Sequence, residues 1–323
     1  MNLLVLGGTV FLGRHVVGQA LAAGHRVTLF TRGLTQPGLF PAAEHLFGDR
    51  DGGLAPLLDR HWDAVIDTCG FAPRVVAQST ALNVGRYVFV STVSVYPDHA
   101  VPPDERSPVF MDAEPESAAN PYGAGKAACE RVIQGAYGER ATLVRPALIG
   151  GPWDPTRRST YWVRRIADGG DVLAPAPPHA PVEVIDVRDL AAFLLKLAAD
   201  AKGGVFNAVG PPTTLGAYLG EARRLLNPEA RLRWVGPAHL AGVHPWSELP
   251  LWLPAPEYAG MMAMRADRAE AAGLVRRPWQ TTLADTAAWC RENPEESARQ
   301  ADGRYADHTL GRAKEAEILS RLP

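Results

Sequence analysis

The chain has 323 residues, 46% of them hydrophobic and 21% charged, with a formal net charge of −2. That length can bury a large core and suggests two domains, or one large domain with a lobe. The near-balanced charge argues against a general polyanion binder. Cys69, Cys129 and Cys290 are an odd count with no Cys-x-x-Cys, which argues against a disulfide framework or a zinc site and for reduced thiols in a cytoplasmic protein. The nine histidines include no His-x-x-x-His pair, so no metal site is expected from them. The first residues lack a basic leader and a cleavage site, and no run approaches the roughly 20 apolar residues that span a bilayer, so neither secretion nor membrane insertion is expected.

In chain order, Asn2–Leu6 reads as a buried strand and Phe11–Ala23 as an amphipathic helix. Between them lies Gly7-Gly8-Thr9-Val10-Phe11-Leu12-Gly13. A strand that turns through glycines into a helix aims the helix N–H groups at a diphosphate. The expected cofactor contacts there are Gly7, Thr9, Val10, Phe11, Leu12 and Gly13. Since the unit begins at residue 1, the cofactor site is expected to start the domain. The usual three-glycine spacing is kept at Gly7 and Gly13, but the middle position is Val10.

The next strand, Arg26–Phe30, runs into Thr31-Arg32-Gly33. NAD sites usually place a carboxylate at this point to hold the ribose 2′-hydroxyl. Here a guanidinium stands instead, which suits a 2′-phosphate and predicts NADP in preference to NAD, with Thr31 and Arg32 as contacts. Strands follow at His45–Phe47, Ala64–Asp67, Tyr87–Ser91 and Thr142–Arg145, with a helix over Pro73–Asn83. Short apolar strands alternating with helices predict an α/β fold, a doubly wound parallel sheet. Ligands bind at the carboxyl ends of such strands.

Two segments there carry chemistry. Tyr87–Tyr96 is a strand ending in hydroxyls, Ser91, Thr92 and Ser94. Asn120-Pro121-Tyr122-Gly123-Ala124-Gly125-Lys126 reads as a helix start, with Asn120 as N-cap and Pro121 as the first helical residue. Tyr122 and Lys126 are four apart, on one helical face. A nearby ammonium lowers the pKa of a phenol and makes it an acid/base at neutral pH.

Past about Gly150 prolines and tryptophans become dense, as in a smaller, less regular lobe. The expected division is 1–153 and 154–323, with 182–210 partly rejoining the first unit. Of the two strands read there, Val182–Val187 and Val205–Val209, the former is expected to return to the main sheet. Arg157, Arg158, Arg164 and Arg165 form two pairs seven apart, on one helical face. They suit an anionic small-molecule substrate, with Tyr161 or Trp162 stacking on a ring; a solvated basic face is the other reading. The final helix, about Arg312–Leu322, has few apolar positions and is either packed or frayed.

Taken in this order, the glycine loop, the Ser/Thr strand end and Tyr-x-x-x-Lys resemble the short-chain dehydrogenase/reductase superfamily, in its extended and atypical branches. Arg145–Pro152, Val184–Leu190 and Val205–Gly210 extend the resemblance over nearly the whole chain. It implies a Rossmann sheet with a C-terminal substrate-binding lobe. It also implies an NAD(P)-dependent oxidoreductase or epimerase of the epimerase/dehydratase type. By this likeness Tyr122 is the acid/base, Lys126 lowers its pKa and holds the nicotinamide ribose, and Thr92 is the catalytic hydroxyl, with Ser91 and Ser94 as fallbacks. Ser94, Arg157 and Tyr161 are expected at the substrate. Thr68, Cys69 and Gly70 lie beside the cofactor, Asp49 and Arg50 beside adenine, and Pro146 in the segment after the sixth strand. A homodimer is the expected assembly, with no nucleic-acid or membrane partner.

The departures matter. Val10 resembles an atypical subgroup with Gly-Gly-Thr-x-Phe. Ala147 replaces an epimerase asparagine, Val182 replaces a phosphate-clamping arginine, and Val93-Ser94 replaces the dehydratase Asp-Glu. A nucleotide sugar is thus weakly supported and dehydratase chemistry disfavoured. The same subgroup resembles chloroplast RNA-binding proteins, so RNA binding, or NADP sensing without turnover, is the competing reading.

Overall fold

A computed structural model gives the fold and describes residues 1–112, 121–253, 258–294 and 309–322. Seven strands form the main sheet: β1 (Asn2–Leu6), β2 (Arg26–Thr31), β3 (Glu44–Phe47), β4 (His61–Asp67), β5 (Asn83–Val90), β6 (Ala141–Pro146) and β10 (Gly204–Ala208). Their order is β10-β6-β5-β4-β1-β2-β3, and every pairing is parallel. The doubly wound sheet follows directly from the apolar runs. In β1, Leu3 and Val5 pack on one face with Val16 and Val17 of α1 (Leu12–Ala22) and Leu190 and Leu194 of α6 (Val187–Ala199). Leu4 and Leu6 pack on the other face with Val76 of α3 (Pro73–Gln78) and Cys129 and Ile133 of α4 (Tyr122–Tyr137). A period of two divides the strand between two cores, and each fully buried Leu or Val contributes about 1.5–3 kcal/mol.

The lobe is built from β7 (Leu148–Gly150), β9 (Pro181–Asp186) and β11 (Pro212–Thr214), the pair β8 (Asp171–Pro175) and β12 (Arg231–Val235), and α5 (Arg158–Ala167), α7 (Leu215–Leu226) and α9 (Trp279–Glu292). Its core holds Trp162, Leu173, Val182, Leu219 and Leu283. One expectation is corrected here. The strand at 182–187 does not rejoin the main sheet; β9 pairs with β7 and β11. The later strand, β10, returns instead, laid parallel beside β6. The helix α6, between them, packs on α1 and carries the chain across the sheet face, the connection a parallel neighbour requires.

The helix Arg312–Ser320 is packed rather than frayed. Its Glu315 is 2% exposed and accepts from Arg165 Nε at 2.7 and 2.8 Å. The polar residue is thus the anchor, which a count of apolar positions misses. Glu183 on β9 is the opposite case, a carboxyl 1% exposed whose Oε2 has no partner. Burial pushes its pKa up to about 8, against the pull of Arg276 and the Met264 backbone N–H. Because the folded pKa lies above the unfolded one, this group's contribution is greatest below about pH 4.5 and is lost as pH rises toward 8. Denaturant titrations of Glu183→Gln and the parent are expected to converge at pH 5, with the variant relatively more stable at pH 8. A constant difference across that range contradicts the buried, neutral carboxyl.

Candidate active site

The carboxyl ends of β1, β2, β4, β5 and β6 lie along one edge of the parallel sheet, and most of the expected site residues follow them. Gly7 and Gly8 have φ of 98° and 119°, which glycine adopts without strain. A Cβ at Gly13 would stand 2.7 Å from the backbone of Gly8, so the start of α1 presses against the turn. Thr68 fills the space below: its Oγ1 donates to Leu6 O at 2.9 Å and is what side chains at Gly7 and Gly13 would strike. Phe11 caps α1 without a side-chain hydrogen bond, and no acid lies in the first turn. Thr9, Val10, Phe11 and Leu12 form this turn, and its N–H groups have no intrahelical acceptors. An uncapped helix start behind a glycine turn fits a dinucleotide diphosphate.

At the end of β2, Thr31 Oγ1 accepts from the Gly33 N–H at 3.3 Å, and Arg32 is exposed. Arg14, on α1, donates to Gln36 Oε1 at 3.1 Å on the loop that follows β2. Asp49 is exposed and caps its own turn by accepting from the Asp51 N–H at 3.0 Å. Arg50 beside it turns inward. It donates to both carboxylate oxygens of Asp67 at 2.8 and 2.9 Å and to Ser79 Oγ at 2.8 Å. Its guanidinium therefore braces the sheet end, and of the two residues it is Asp49 that stays exposed. Asp67 also accepts from Tyr87 Oη at 2.8 Å and from the Cys69 N–H at 3.1 Å. The Arg50 charge and these donors hold its pKa down despite complete burial. Cys69 follows with its thiol pushed up to about 11 by burial, and Gly70 fits against Phe89 where a Cβ would clash. Pro146 is buried at the end of β6.

Tyr122 begins α4, with Pro121 in the N-cap position, one residue later than expected; Asn120 lies outside the described residues. Gly123 packs its Cα against the Ser94 carbonyl, too close for any side chain. That approach sets Tyr122 beside the turn that carries Thr92, whose hydroxyl acts to lower the phenol's pKa. Thr92 Oγ1 also accepts from the Ser94 N–H at 3.1 Å and lies 3.2 Å from Ser94 Oγ. Ser91 Oγ is buried without a partner.

Lys126 sits one turn further on and is buried. Its Nζ donates to Gly70 O at 2.7 Å and Val90 O at 2.6 Å, and lies 4.2 Å from the Phe89 ring centre. Burial lowers its pKa to about 8. The Lys126 ammonium is thus held by two carbonyls, and the cation named among the influences that lower the Tyr122 phenol is Arg158. Desolvation of its hydroxyl raises the phenol above its usual value although the residue as a whole is 55% exposed, and Thr92 and Arg158 pull it back. For Lys126 the folded pKa lies below the unfolded one. Between about pH 8 and 10.5 the native state sheds its proton first, and this group's contribution to stability rises with pH. The stability gap between the parent and Lys126→Met is expected to widen in the parent's favour over that range. A gap that narrows contradicts the buried ammonium.

The four arginines do not share a face. Arg165 is spent on Glu315, Gly169 O and Asp171 O, and Arg164 donates to Pro294 O at 3.1 Å. Arg157, in the left-handed region at φ 61°, and Arg158 stand at the start of α5. Tyr161 is 6% exposed in the lobe core, edge-on to Trp162, so its ring does not offer a stacking surface to a ligand. One group was not foreseen as part of the site, Asp67, signalled only by a carboxylate ending an apolar strand; Arg158 reads in sequence as one of four arginines suited to an anionic substrate.

Residues 53–208 match the model of the NAD dependent epimerase/dehydratase family; the glycine loop, with its Val10, lies before that stretch. The chloroplast stem-loop binding protein of 41 kDa b from Arabidopsis thaliana is 28% identical over 231 residues, covering 65% of this chain and 58% of that protein. UDP-glucuronic acid 4-epimerase from Bacillus cereus, solved with NAD, superposes with a TM-score of 0.69 at 12% identity, over 90% of this chain and 99% of that one. An epimerase from Methanothermobacter thermautotrophicus gives 0.68 at 17% identity, over 92% and 94%. Residues 53–208, just under half of the chain, thus resemble the NAD dependent epimerase/dehydratase family, and the chain shares the Rossmann-like fold of these solved epimerases.

Proposed function

We propose that the protein is a nicotinamide-dinucleotide-dependent oxidoreductase or epimerase acting at a carbon that carries a hydroxyl or carbonyl group. The observation that carries this reading is the packing of the start of α4, where Tyr122 stands, against the Thr92–Ser94 turn at the end of β5, on the sheet edge that holds the glycine loop. The dinucleotide supplies hydride exchange when bound. The chain's own residues do the rest. Thr92, with Ser94 behind it, orients the substrate oxygen, and Tyr122 gives it a proton or takes one. With its pKa raised, the phenol is protonated at neutral pH and is poised as the acid. Gly7 to Gly13 and the start of α1 hold the diphosphate, Asp49 and the Thr68–Gly70 loop flank the nucleoside ends, and Lys126 holds that loop by its Gly70 carbonyl.

Within this reading, NADP is favoured over NAD, because Arg32 is exposed at the end of β2 with no carboxylate beside it in sequence and Arg14 lies against the following loop. Calorimetric titration is expected to give tighter binding of NADP(H) than of NAD(H), and Arg32→Ala is expected to shrink the difference about tenfold, of the order of one charge-assisted hydrogen bond. Equal affinities in the parent remove the argument.

The functional test is a screen of carbonyl compounds, alcohols and nucleotide sugars with both dinucleotides. Turnover is expected with at least one class. A second reading, RNA binding, rests on the name of the Arabidopsis relative. It predicts affinity that falls steeply with salt. The net charge of −2 and the dispersal of the four arginines speak against it.

A further inference from the structure

Trp153 packs with the lobe but reaches the first turn of α1. It follows β7 and leans on the lobe core, its ring centre 5.2 Å from that of Trp289 on α9. It also meets Arg14, whose guanidinium carbon lies 3.5 Å from the centre of the Trp153 ring. That is a close stack, since a cation is attracted to an aromatic face out to about 6 Å. The segment is held on both sides. Pro152 O accepts from His15 Nε2 of α1 at 3.3 Å. Asp154 accepts from the N–H and hydroxyl of Thr156 and of Ser159 at 2.6–2.9 Å. Between them Trp153 has a φ of 71°, a left-handed conformation that bulky side chains rarely adopt. Such strain gathers at ligand clamps.

Arg14 lies along the rim where β2 ends. Its Nη1 donates to Gln36 Oε1 at 3.1 Å on the loop that follows that strand. The glycine turn before α1 is tied to the same place, because the Gly7 N–H donates to Phe30 O at 3.0 Å. Thr31 and Arg32 come next, and Arg32 is exposed. Two guanidinium groups therefore border the end of β2, one from the strand exit and one from α1. Asp49, the carboxylate that follows β3, turns back to accept from the Asp51 N–H at 3.0 Å. A long side chain loses rotamer freedom when it grips a ligand, and one already stacked and hydrogen-bonded has less to lose. The Trp153 ring supplies that order to Arg14.

We propose that Trp153 is a positioning residue of the dinucleotide site, holding the Arg14 guanidinium flat beside the end of β2 so that Arg14, with Arg32, selects for a ribose 2′-phosphate. This deepens the proposed function and rests on it for the dinucleotide itself. It brings a residue packed with the lobe into the choice of cofactor. Arg14 is the group that meets the phosphate, since a planar fork can grip two of its oxygens at once. Trp153 acts only through Arg14. NAD and NADP differ by that phosphate alone, so the pair's contribution appears in the ratio of the two affinities.

The test titrates the full-length protein with NADPH and NADH, followed by nicotinamide fluorescence, in the parent, Arg14→Met, Trp153→Leu and Trp153→Phe, with melting temperatures measured alongside. The parent is expected to prefer NADPH. Arg14→Met is expected to lower that preference about tenfold, of the order of one charge-assisted hydrogen bond. Trp153→Leu is expected to lower it about threefold, of the order of an exposed cation–aromatic contact, and Trp153→Phe to keep most of it. NADH affinity is expected to stay the same in all three. Equal binding of the two dinucleotides by the parent overturns the proposal without any variant having to fold. So does a full preference in a folded Trp153→Leu protein, or an equal loss of NADPH and NADH affinity there, which marks a purely structural side chain. If Trp153→Leu does not fold, a full preference in Arg14→Met overturns it instead. Binding of neither dinucleotide by the parent overturns this proposal together with the function beneath it, whereas a parent preference that the variants leave in place overturns this proposal alone.

Discussion

Replacing Tyr122 by phenylalanine is expected to lower turnover by about 10²–10⁴-fold, the usual worth of a positioned acid/base, while dinucleotide affinity changes little. The ring begins α4 and is 55% exposed, so removing one hydroxyl opens no cavity. What disappears, in the proposed mechanism, is the proton donor. Thr92→Val should follow with a smaller loss, since in that mechanism Thr92 orients and Tyr122 transfers. Steady-state rates and a parallel dinucleotide titration separate the effects. Full activity in Tyr122→Phe contradicts the assignment, and a loss of activity matched by an equal loss of dinucleotide affinity shows that the residue is structural.

The largest expected effect on stability is at Asp67. The carboxylate is fully buried and accepts four hydrogen bonds, two from Arg50 and one each from Tyr87 and the Cys69 N–H. Asp67→Asn keeps the shape but removes the charge, leaving the Arg50 guanidinium buried and uncompensated. Breaking one side of a buried pair costs about 3–5 kcal/mol. Denaturant unfolding should show that loss, and dinucleotide binding should weaken with it, because Thr68, Cys69 and Gly70 follow directly. Combining the change with Arg50→Met should cost less than the sum of the two, since the double variant leaves no lone charge. Strict additivity contradicts the pairing. The pH dependence has a defined sign. Asp67's pKa is lowered in the fold, so its stabilisation is present at neutral pH and is lost as pH falls through the depressed value.

Much of this architecture is legible in the chain because parallel strands buried on both faces are written as continuous apolar runs. The strand at Asn2–Leu6 is read to the residue, and the others shift by a few positions at their ends. The return to the main sheet is misread for a physical reason. Val182–Val187 and Val205–Val209 are equally apolar, and only the crossover through α6 decides which of them reaches β6. The site is partly legible in the same way. Glycines needed for close approach, at Gly7 and Gly13, stand out, and so does the spacing of Tyr122 and Lys126.

Electrostatic partners are not legible, because they depend on distances across the sheet. Lys126 looks like the cation for Tyr122 when only the helix is considered, but the carbonyls of Gly70 and Val90 claim its ammonium. The four arginines of 157–165 look equivalent on a helical wheel. Glu315, about 150 positions away, takes one of them into the core, and Asp154 leaves another unpaired by capping α5 instead.

The central claim is that the turn from Gly7 to Gly13 holds a nicotinamide dinucleotide beside Tyr122. Fluorescence titration of NADPH and NADH with the parent protein and Gly13→Val tests it most directly. A side chain at residue 13 would meet the backbone of Gly8 at 2.7 Å and push the turn away from α1. The account predicts saturable binding of at least one dinucleotide by the parent and its loss in a folded Gly13→Val protein. Binding of neither dinucleotide by the parent, or binding that Gly13→Val leaves unchanged, would contradict it.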